Sequence, residues 1–400
     1  MSKHEVVIVS ALRTPFGRFG GFLKEIPSVE LGSRAIKAVV ERVGLEPSMV
    51  EELYYGTCML AENALNQNVL ARQALLKAGL SAETLSLTID RACCSSMTAL
   101  HLCFRMIQSG EREVMIAAGA ENMSRVPYLL EARWGKRLGV PVIEDNLFEL
   151  GYRDWNAVAM DAGEVALEEG VSREEQDQWA LRSHRLYFEA LHNGNFNQEI
   201  MPLEVDVSGR KTVTLTEDEQ ARPDIKLEEL RKLPTVYGSP TVTPGNAPGL
   251  NTGAASILMM SREKAEVLGI KPLASVRAVA SIAAEPRYIA KAPALVIEKI
   301  LKGTGLNIDE IDLVEINEAF AAMPLVSGKI LLGEKMNLNS ELADKINVNG
   351  GAIAIGHPLG ASGARLVMTM IYELARRGGG KGIASICGGL AQGDATLIEV

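Results

Sequence analysis

The chain of 400 residues contains no long apolar run. A helix that crosses a bilayer needs about 20 consecutive apolar residues, and nothing in the sequence approaches that length. The apolar run at residues 6–11 is also too short for the hydrophobic core of a signal peptide, and we interpret it as a first strand. The sequence therefore predicts no membrane association, and the expected location is the cytoplasm.

Cysteine is scarce, and no two cysteines have the two-residue separation of a metal-binding pair. An odd number of cysteines in a long chain without an export signal predicts free thiols. Structural zinc requires four ligands, usually from closely spaced cysteine and histidine pairs, so we expect no bound metal. The five cysteines are Cys58, Cys93, Cys94, Cys103 and Cys387.

Basic residues are also in the minority, with 41 lysines and arginines against 50 acidic residues and a net charge of -9. This balance argues against a general nucleic-acid surface. It is compatible with a local basic patch for a phosphate-bearing ligand, because net charge says little about a single cleft. With 47% hydrophobic residues, the chain is long enough to bury a large core in two or three packed units.

Strand-like and helix-like segments alternate in the first 120 residues and again after residue 273. This alternation predicts an α/β layered fold. Strands are expected at residues 5–10, 53–55, 85–89, 113–118, 314–317, 347–349 and 382–386, and helices at residues 29–43, 68–78 and 96–109.

The middle of the chain, residues 128–248, is richer in charge and turn residues, with one long predicted helix at residues 172–191. Residues 222–240 contain three prolines and several charges, which indicates a surface excursion. The strand-to-turn segments 85–93 and 345–357 resemble each other, as do 113–120 and 381–393. We therefore predict two similar halves, residues 1–125 and 251–400, around an inserted loop domain at residues 126–250.

The segment with the strongest chemical signal is residues 349–363, NGGAIAIGHPLGASG, with His357 at its centre. Five glycines in fifteen positions indicate backbone that turns tightly or approaches another group closely. The segment lacks the GK[ST] ending of a phosphate-binding Walker loop. A glycine-rich loop with a structurally hydrogen-bonded histidine is the alternative interpretation.

A second segment, residues 90–96 with the sequence DRACCSS, joins a predicted strand to a predicted helix. A thiol at a helix N-terminus lies near the positive end of the helix dipole, which favours thiolate, and an imidazole partner would favour it further. A pair of small buried cysteines would give the same pattern. This segment alone therefore leaves both interpretations open for Cys93.

Two further segments follow predicted strands. Cys387 begins the run CGGLAQG, which could equally be a structural cysteine before a glycine turn. Asn317 begins NEAF, where the asparagine could simply cap a helix.

Together the four segments resemble the thiolase family. Residues 350–363 match the family's Gly-Gly-x-x-x-x-Gly-His-Pro-x-Gly-x-Ser-Gly pattern, and residues 317–320 match its Asn-Glu-Ala-Phe pattern. Residues 90–96 and 387–393 follow the two cysteine patterns with few substitutions. The resemblance extends over nearly the whole chain and includes residues 172–177 and 182–184 of the predicted loop-domain helix.

The resemblance implies a five-layered αβαβα fold built from two similar halves, in an acyltransferase acting on 3-oxoacyl-CoA. Cys93 is expected to carry the acyl group, His357 to activate Cys93, and Cys387 to move the second proton. Asn317 is expected to position a water molecule beside one oxyanion, and the backbone N–H groups of Cys93 and Gly389 to bind the other. No permanently bound cofactor is implied, since CoA and acyl-CoA are substrates, and family members are homodimers or homotetramers.

The resemblance also implies residues that hold CoA. Arg222 ends a segment similar to the family's Asp-Glu-x-x-Arg, which lies near the adenine and 3′-phosphate, and Phe320 is expected to line the acyl and pantetheine end. A solvated surface charge is the alternative for Arg222. Several family positions around the substrate are substituted, so the acyl chain is not predicted; they are Asp90, Ser96, Asp161, Gly163, Pro248, Thr252 and Ile289.

Two other functions are alternatives to this hypothesis. A carrier-linked condensing enzyme of the ketoacyl-synthase type pairs its cysteine with two histidines, or with histidine and asparagine, and has no counterpart of Cys387. A CoA-binding or scaffolding subunit with damaged catalysis would lack catalytic residues, and none is missing here. A thiolase is therefore the function that the sequence predicts.

Overall fold

The computed structural model describes residues 4–66, 68–135, 138–148, 152–207, 211–332 and 343–400. The strands are β1 (Val6–Arg13), β2 (Gly17–Arg18), β3 (Glu52–Gly56), β4 (Leu85–Ile89), β5 (Val114–Asn122), β6 (Tyr128–Leu130), β7 (Ile143–Asp145), β8 (Leu203–Val207), β9 (Lys211–Leu215), β10 (Asn251–Ser261), β11 (Ala274–Ala283), β12 (Leu313–Ile316), β13 (Lys381–Gly388) and β14 (Gln392–Glu399). The helices are α1 (Ser28–Arg42), α2 (Leu60–Leu65), α3 (Leu70–Lys77), α4 (Ser95–Ser109), α5 (Val158–Glu168), α6 (Arg173–His192), α7 (Leu227–Leu230), α8 (Arg262–Leu268), α9 (Ala292–Thr304), α10 (Ala322–Leu332), α11 (Ala352–Ile355) and α12 (Leu359–Arg376).

Hydrogen bonding links the main strands in the order β12-β13-β14-β11-β1-β10-β5-β3-β4, with β2 paired to β10. The pairs β3–β4, β3–β5 and β12–β13 are parallel, and the other neighbours are antiparallel. β1 pairs with β10 over most of its length but with β11 only through residues 6–8. This short pairing joins two sheets. The first sheet contains β1, β10, β5, β3 and β4, and the second contains β11, β14, β13 and β12.

The helices complete five layers. α1 and α3 pack on the outer face of the first sheet, and α9 packs on the outer face of the second with α10 against it. α4 and α12 lie between the two sheets and contact strands of both. The five-layered αβαβα architecture of two similar halves is therefore confirmed.

Close approach of α4 and α12 explains two glycines of the histidine segment. A Cβ at Gly363 would lie 2.6 Å from the backbone nitrogen of Met97 in α4. A Cβ at Gly360 would lie 2.6 Å from the carbonyl oxygen of Gly56 at the end of β3. Larger residues at either position would push the central helix away from the first sheet and displace the segment that carries His357.

Residues 126–250 contain the hairpins β6–β7 and β8–β9, helices α5 to α7 and long connections. The excursion at residues 222–240 is largely exposed, as predicted, with Leu230 as a buried anchor. β10 begins at Asn251, directly after the predicted domain boundary, yet pairs with β1 and β5 of the first sheet. The three-part division itself stays a prediction.

Three local sequence predictions were wrong. The strand β10 was missed because its sequence, NTGAASILMMS, contains small residues and methionines where β-branched residues signal a strand. The helix predicted from residue 68 begins at Leu70, because Asn68 and Val69 have φ of 63° and 45°. Residues 347–349 form no strand and contribute only an isolated bridge from Val348 to Gly350.

Among the described residues, no helix is both long and apolar enough to span a membrane.

Candidate active site

Cys93 lies on the sharp turn between β4 and α4. Ala92, immediately before it, has φ 48°, in the left-handed region. The Asp90 carboxylate accepts a hydrogen bond from the Ala92 N–H at 3.0 Å, and the Ser95 hydroxyl oxygen accepts one from the Arg91 N–H at 2.8 Å. Asp90 thus stabilises the turn even though the family commonly has asparagine at that position.

The Arg91 side chain fixes this turn to the second half of the molecule. Its Nε donates to the Gln392 side-chain oxygen at 2.8 Å, and a terminal nitrogen lies 3.1 Å from the buried Asp394 carboxylate. Both partners belong to β14. The segment that carries the nucleophile is therefore held against the sheet whose neighbouring strand ends at Cys387 and Gly388.

His357 lies beside Cys93, with Nε2 3.2 Å from the Cys93 sulfur. Its Nδ1 lies 2.6 Å from the Ser362 hydroxyl oxygen, and that hydroxyl donates its own proton to the Pro358 carbonyl at 2.9 Å. Ser362 must therefore accept from Nδ1–H, which leaves the Nε2 lone pair directed at the thiol. The Asn251 side-chain oxygen accepts from the His357 backbone N–H at 2.8 Å and holds the ring's position.

Removal from water makes both groups electrically neutral at rest. Burial, aided by the positive charge of Arg365, lowers the pKa of His357 to about 3. Burial also raises the pKa of Cys93 well above its usual range, and the neighbouring Cys387 raises it further. A backbone hydrogen bond at Cys93 lowers its pKa, in the direction expected of the helix N-terminus, but burial has the larger effect. The resting pair is a thiol beside an unprotonated imidazole nitrogen.

This neutral pair predicts the pH dependence of alkylation. Because the raised pKa of Cys93 keeps it protonated throughout, its reaction with iodoacetamide should accelerate about tenfold for each pH unit between pH 7 and 9. Quantifying the labelled peptide by mass spectrometry at each pH measures this rate and separates Cys93 from the fully buried Cys94. A plateau near pH 7 would show a preformed thiolate–imidazolium pair, and label mainly on Cys94 would place the reactive thiol elsewhere.

Asn317 follows β12 and lies beside the histidine. Its side-chain nitrogen is 3.3 Å from His357 Nε2. Its side-chain oxygen is buried and has no hydrogen-bond partner among the described residues. A buried amide oxygen needs a donor, so this atom is available to a water molecule or substrate group. The position of a bound water stays a prediction.

Glu318, the next residue, organises the surroundings of this loop. Its fully buried carboxylate accepts from Trp179 Nε1, the Ser183 hydroxyl, Asn347 Nδ2 and the Ile353 N–H, at 2.8 to 3.1 Å. These partners come from α6, the segment before α11, and α11 itself. The glutamate of the Asn-Glu-Ala-Phe segment therefore joins α6 to the catalytic face, a role that the sequence did not reveal.

Cys387 lies near the end of β13, where the second sheet meets the cavity, and it is only 1% exposed. Burial raises its pKa to about 12, so it too is a thiol at rest. Gly389 lines the cavity two residues later, beneath the side chain of Tyr152. A Cβ on Gly389 would lie 1.7 Å from the Tyr152 hydroxyl oxygen, which explains why glycine occupies this position.

One cavity of about 390 Å³ joins most of the predicted residues. Cys93, His357, Cys387, Gly389 and Phe320 all line it. Arg222 does not line it: this residue is exposed on the surface excursion, and its backbone N–H donates to His184 Nδ1 at 3.2 Å. Five of the seven predicted residues thus line the cavity, Asn317 lies behind it in contact with His357, and Arg222 lies outside.

Comparison with known proteins decides the family. The model of the thiolase N-terminal domain matches residues 6–263, and the model of the thiolase C-terminal domain matches residues 270–400. The chain belongs to the thiolase family.

Two curated thiolase relatives cover 99% of this chain and are themselves covered over 99% of their lengths. The acetyl-CoA acetyltransferase of Syntrophomonas wolfei is 39% identical, and the beta-ketoadipyl-CoA thiolase of Pseudomonas aeruginosa is 41% identical. The crystal structure of the Bacillus anthracis acetyl-CoA acetyltransferase superposes with a TM-score of 0.93 at 38% identity, covering 100% of this chain and 99% of that one. The thiolase fold thus extends over the entire chain, which is an acyltransferase of this family.

Proposed function

We propose that this enzyme catalyses reversible thiolytic cleavage and Claisen condensation of a 3-oxoacyl-CoA through an acyl thioester on Cys93. The observation that supports this most strongly is the 3.2 Å separation of His357 Nε2 from the Cys93 sulfur, in a cavity that also contains Cys387. Cys93 supplies the nucleophile, and His357 and Cys387 supply the two bases. The reaction therefore needs no permanently bound cofactor.

Acylation begins when His357 Nε2 takes the Cys93 proton and the sulfur attacks the carbonyl carbon of acyl-CoA. The tetrahedral intermediate places negative charge on oxygen, which the backbone N–H groups of Cys93 and Gly389 stabilise. The carbon–sulfur bond to CoA then breaks, and the CoA thiolate receives the proton from His357. The neutral resting imidazole suits this step because it is free to accept a proton.

Condensation uses the second thiol. Cys387, a thiol at rest, first gives its proton to His357, and the resulting thiolate takes a methyl proton from a second acetyl-CoA. The carbon nucleophile formed in this way attacks the acyl carbon on Cys93. The new carbon–carbon bond forms as the Cys93 thiolate leaves, and this thiolate takes the proton from His357. Asn317, through a water molecule, and His357 stabilise the enolate oxygen of the second substrate. Cleavage is the same sequence in reverse, with Cys387 returning the proton to the departing acetyl-CoA.

The direct test is CoA-dependent cleavage of acetoacetyl-CoA, followed by the loss of its enolate absorbance. We expect consumption of one CoA and formation of two acetyl-CoA for each acetoacetyl-CoA. The same assay with an acyl group on a carrier protein tests a ketoacyl-synthase-type function, which the presence of Cys387 disfavours. Turnover of carrier-linked substrates alone would overturn the proposal, as would the absence of CoA-dependent cleavage with any 3-oxoacyl-CoA.

We propose that Arg222 binds the nucleotide end of CoA, where its guanidinium would pair with phosphate. Arg222→Ala should raise KM for CoA substrates about five- to thirtyfold, equivalent to roughly 1–2 kcal/mol, and hardly change KM for pantetheine thioesters. Lys232→Ala, which removes another exposed charge of the same excursion, serves as the control. An equal loss with both kinds of substrate would show that Arg222 acts through folding.

We also propose that the enzyme is a homo-oligomer. β4 lies at the end of the sheet order, and its apolar Leu85 and Leu87 are about half exposed. The β6–β7 region also exposes apolar side chains, including Trp134 at 92%. An open sheet edge with apolar residues is suited to pairing with a second copy. Light scattering coupled to size-exclusion chromatography distinguishes monomer, dimer and tetramer.

We propose that the enzyme acts in the cytoplasm. All five cysteines are free thiols, and the mechanism requires Cys93 and Cys387 to stay reduced. Reducing compartments maintain such thiols.

A further inference from the structure

One wall of the cavity beside Cys93 is built from apolar side chains of the first half. Met59, Met123 and Leu359 are each more than nine-tenths buried and pack together. Cys93 itself packs against this cluster, as does Leu147, which follows β7. We name the set of Met59, Met123, Leu147 and Leu359 the apolar wall, and all four residues line the cavity. Methionine side chains adapt to guests of different shape, so this surface can accommodate hydrocarbon chains.

The electrostatic environment of the apolar wall is acidic. Asp90 is the sole residue with a formal charge among the described residues that line the cavity, and His357 is neutral. Behind the wall lies the buried Glu121 carboxyl group, which accepts from the N–H groups of Cys58 and Met59, each at 3.0 Å, and whose pKa burial raises to about 7. Both Asp90 and Glu121 raise the pKa of the Cys93 thiol, so each disfavours a further negative charge near that sulfur.

A carboxylate at the far end of an acyl chain would therefore find no cation among the described residues that line the cavity. Transfer of an unpaired carboxylate from water into apolar surroundings costs several kcal/mol. Methylene groups gain from the same surroundings, because each buried methylene contributes roughly 0.8 kcal/mol. The cavity thus distinguishes two acyl chains of equal length by charge alone.

We propose that the acyl group carried on Cys93 is a neutral hydrocarbon chain longer than acetyl, lying on the apolar wall, and that chains ending in carboxylate are excluded. This substrate class rests on the proposed thiolase function. An acetyl group has a single methyl beyond its carbonyl carbon and leaves most of the wall uncovered. Butyryl and hexanoyl groups cover progressively more of it.

The test compares kcat/KM for thiolytic cleavage of 3-oxobutyryl-, 3-oxohexanoyl-, 3-oxooctanoyl- and 3-oxoadipyl-CoA. These substrates place acetyl, butyryl, hexanoyl and succinyl groups on Cys93. We expect kcat/KM to rise about fourfold for each added methylene. We expect the succinyl-forming substrate to react at least 100-fold more slowly than the butyryl-forming one, which has the same number of acyl carbons.

Introducing a positive charge provides a second measurement. Leu147→Arg places a cation at the apolar wall and should raise the ratio of 3-oxoadipyl to 3-oxohexanoyl cleavage by tenfold or more. Val142→Arg adds the same charge at a position 60% exposed and outside the cavity, and should leave that ratio unchanged.

Cleavage that is fastest with 3-oxobutyryl-CoA, or equally fast with 3-oxoadipyl- and 3-oxohexanoyl-CoA, would overturn the substrate class while preserving the proposed function. Absence of CoA-dependent cleavage with all four substrates would instead overturn the proposed function itself.

Discussion

Replacing Cys93 by alanine is expected to lower the rate of thiolytic cleavage by about 10⁴-fold or more, because the reaction loses its only acyl-carrying atom. Steady-state cleavage of a 3-oxoacyl-CoA measures this loss. The thermal midpoint of unfolding should change little, since the side chain is small and partly exposed. The variant tests whether the 3.2 Å contact with His357 identifies the nucleophile.

Cys94→Ala is the matched control at the adjacent position. The Cys94 side chain is fully buried and directed at the Ile386 carbonyl, 3.6 Å from its sulfur. Its removal should cost about 1 kcal/mol of stability while most activity remains. An active Cys93→Ala variant, or an inactive but folded Cys94→Ala variant, would reverse the assignment of the two thiols.

Cys387→Ser should separate the two half-reactions. Serine has a far higher pKa than a thiol and is a poor base here, so condensation should fall by about 10²- to 10⁴-fold. Acylation of Cys93 by acetyl-CoA should continue, because it relies on His357. Quenched-flow mass spectrometry measures the acyl-enzyme, and acetoacetyl-CoA formation measures condensation.

Cys58→Ser is the control for this variant, since Cys58 lines the same cavity and donates through sulfur to the Ala92 carbonyl at 2.9 Å. A serine hydroxyl retains that donor, and condensation should stay within a few-fold of the original rate. Near-normal condensation by Cys387→Ser would assign the base to another group.

The sequence predicted the architecture because local patterns agreed with the tertiary arrangement. The strand at Leu85–Ile89 was predicted with the bounds that the structure has, and α4 was predicted to within one residue of its start. The resemblance of four short segments placed Cys93, His357 and Cys387 together, although 264 positions separate the first two. Their spatial proximity could not be derived from any one segment, each of which also had a structural interpretation.

What the sequence could not predict depends on contacts between distant residues. Asn251 and Ser362 orient His357, but neither residue type signals this role without the fold. Burial raises the pKa of the Cys93 thiol by more than the backbone hydrogen bond at the helix start lowers it, and the extent of burial is known only from the fold. The role of Glu318 could not be predicted either, because its carboxylate accepts from donors in three separate segments of the chain.

Acyl specificity lies outside sequence prediction for the same reason. The substituted family positions indicated only that the substrate environment differs. The apolar wall combines residues from the segments after β3, β5 and β7 and from the start of α12, which meet only in the folded chain. The described residues that line the cavity include no cation, and this property belongs to the folded protein rather than to any sequence motif.

The mechanism requires that a covalent acyl group forms on Cys93 during turnover. Mixing the enzyme with a 3-oxoacyl-CoA in the absence of free CoA, quenching with acid within milliseconds and mapping the peptides by mass spectrometry tests it most directly. We predict one acyl group per chain on the peptide that contains residues 93 and 94, located by fragmentation on Cys93, and its disappearance when CoA is added. Acyl groups on Cys94 or Cys387, or turnover without an acyl-enzyme, would contradict the mechanism.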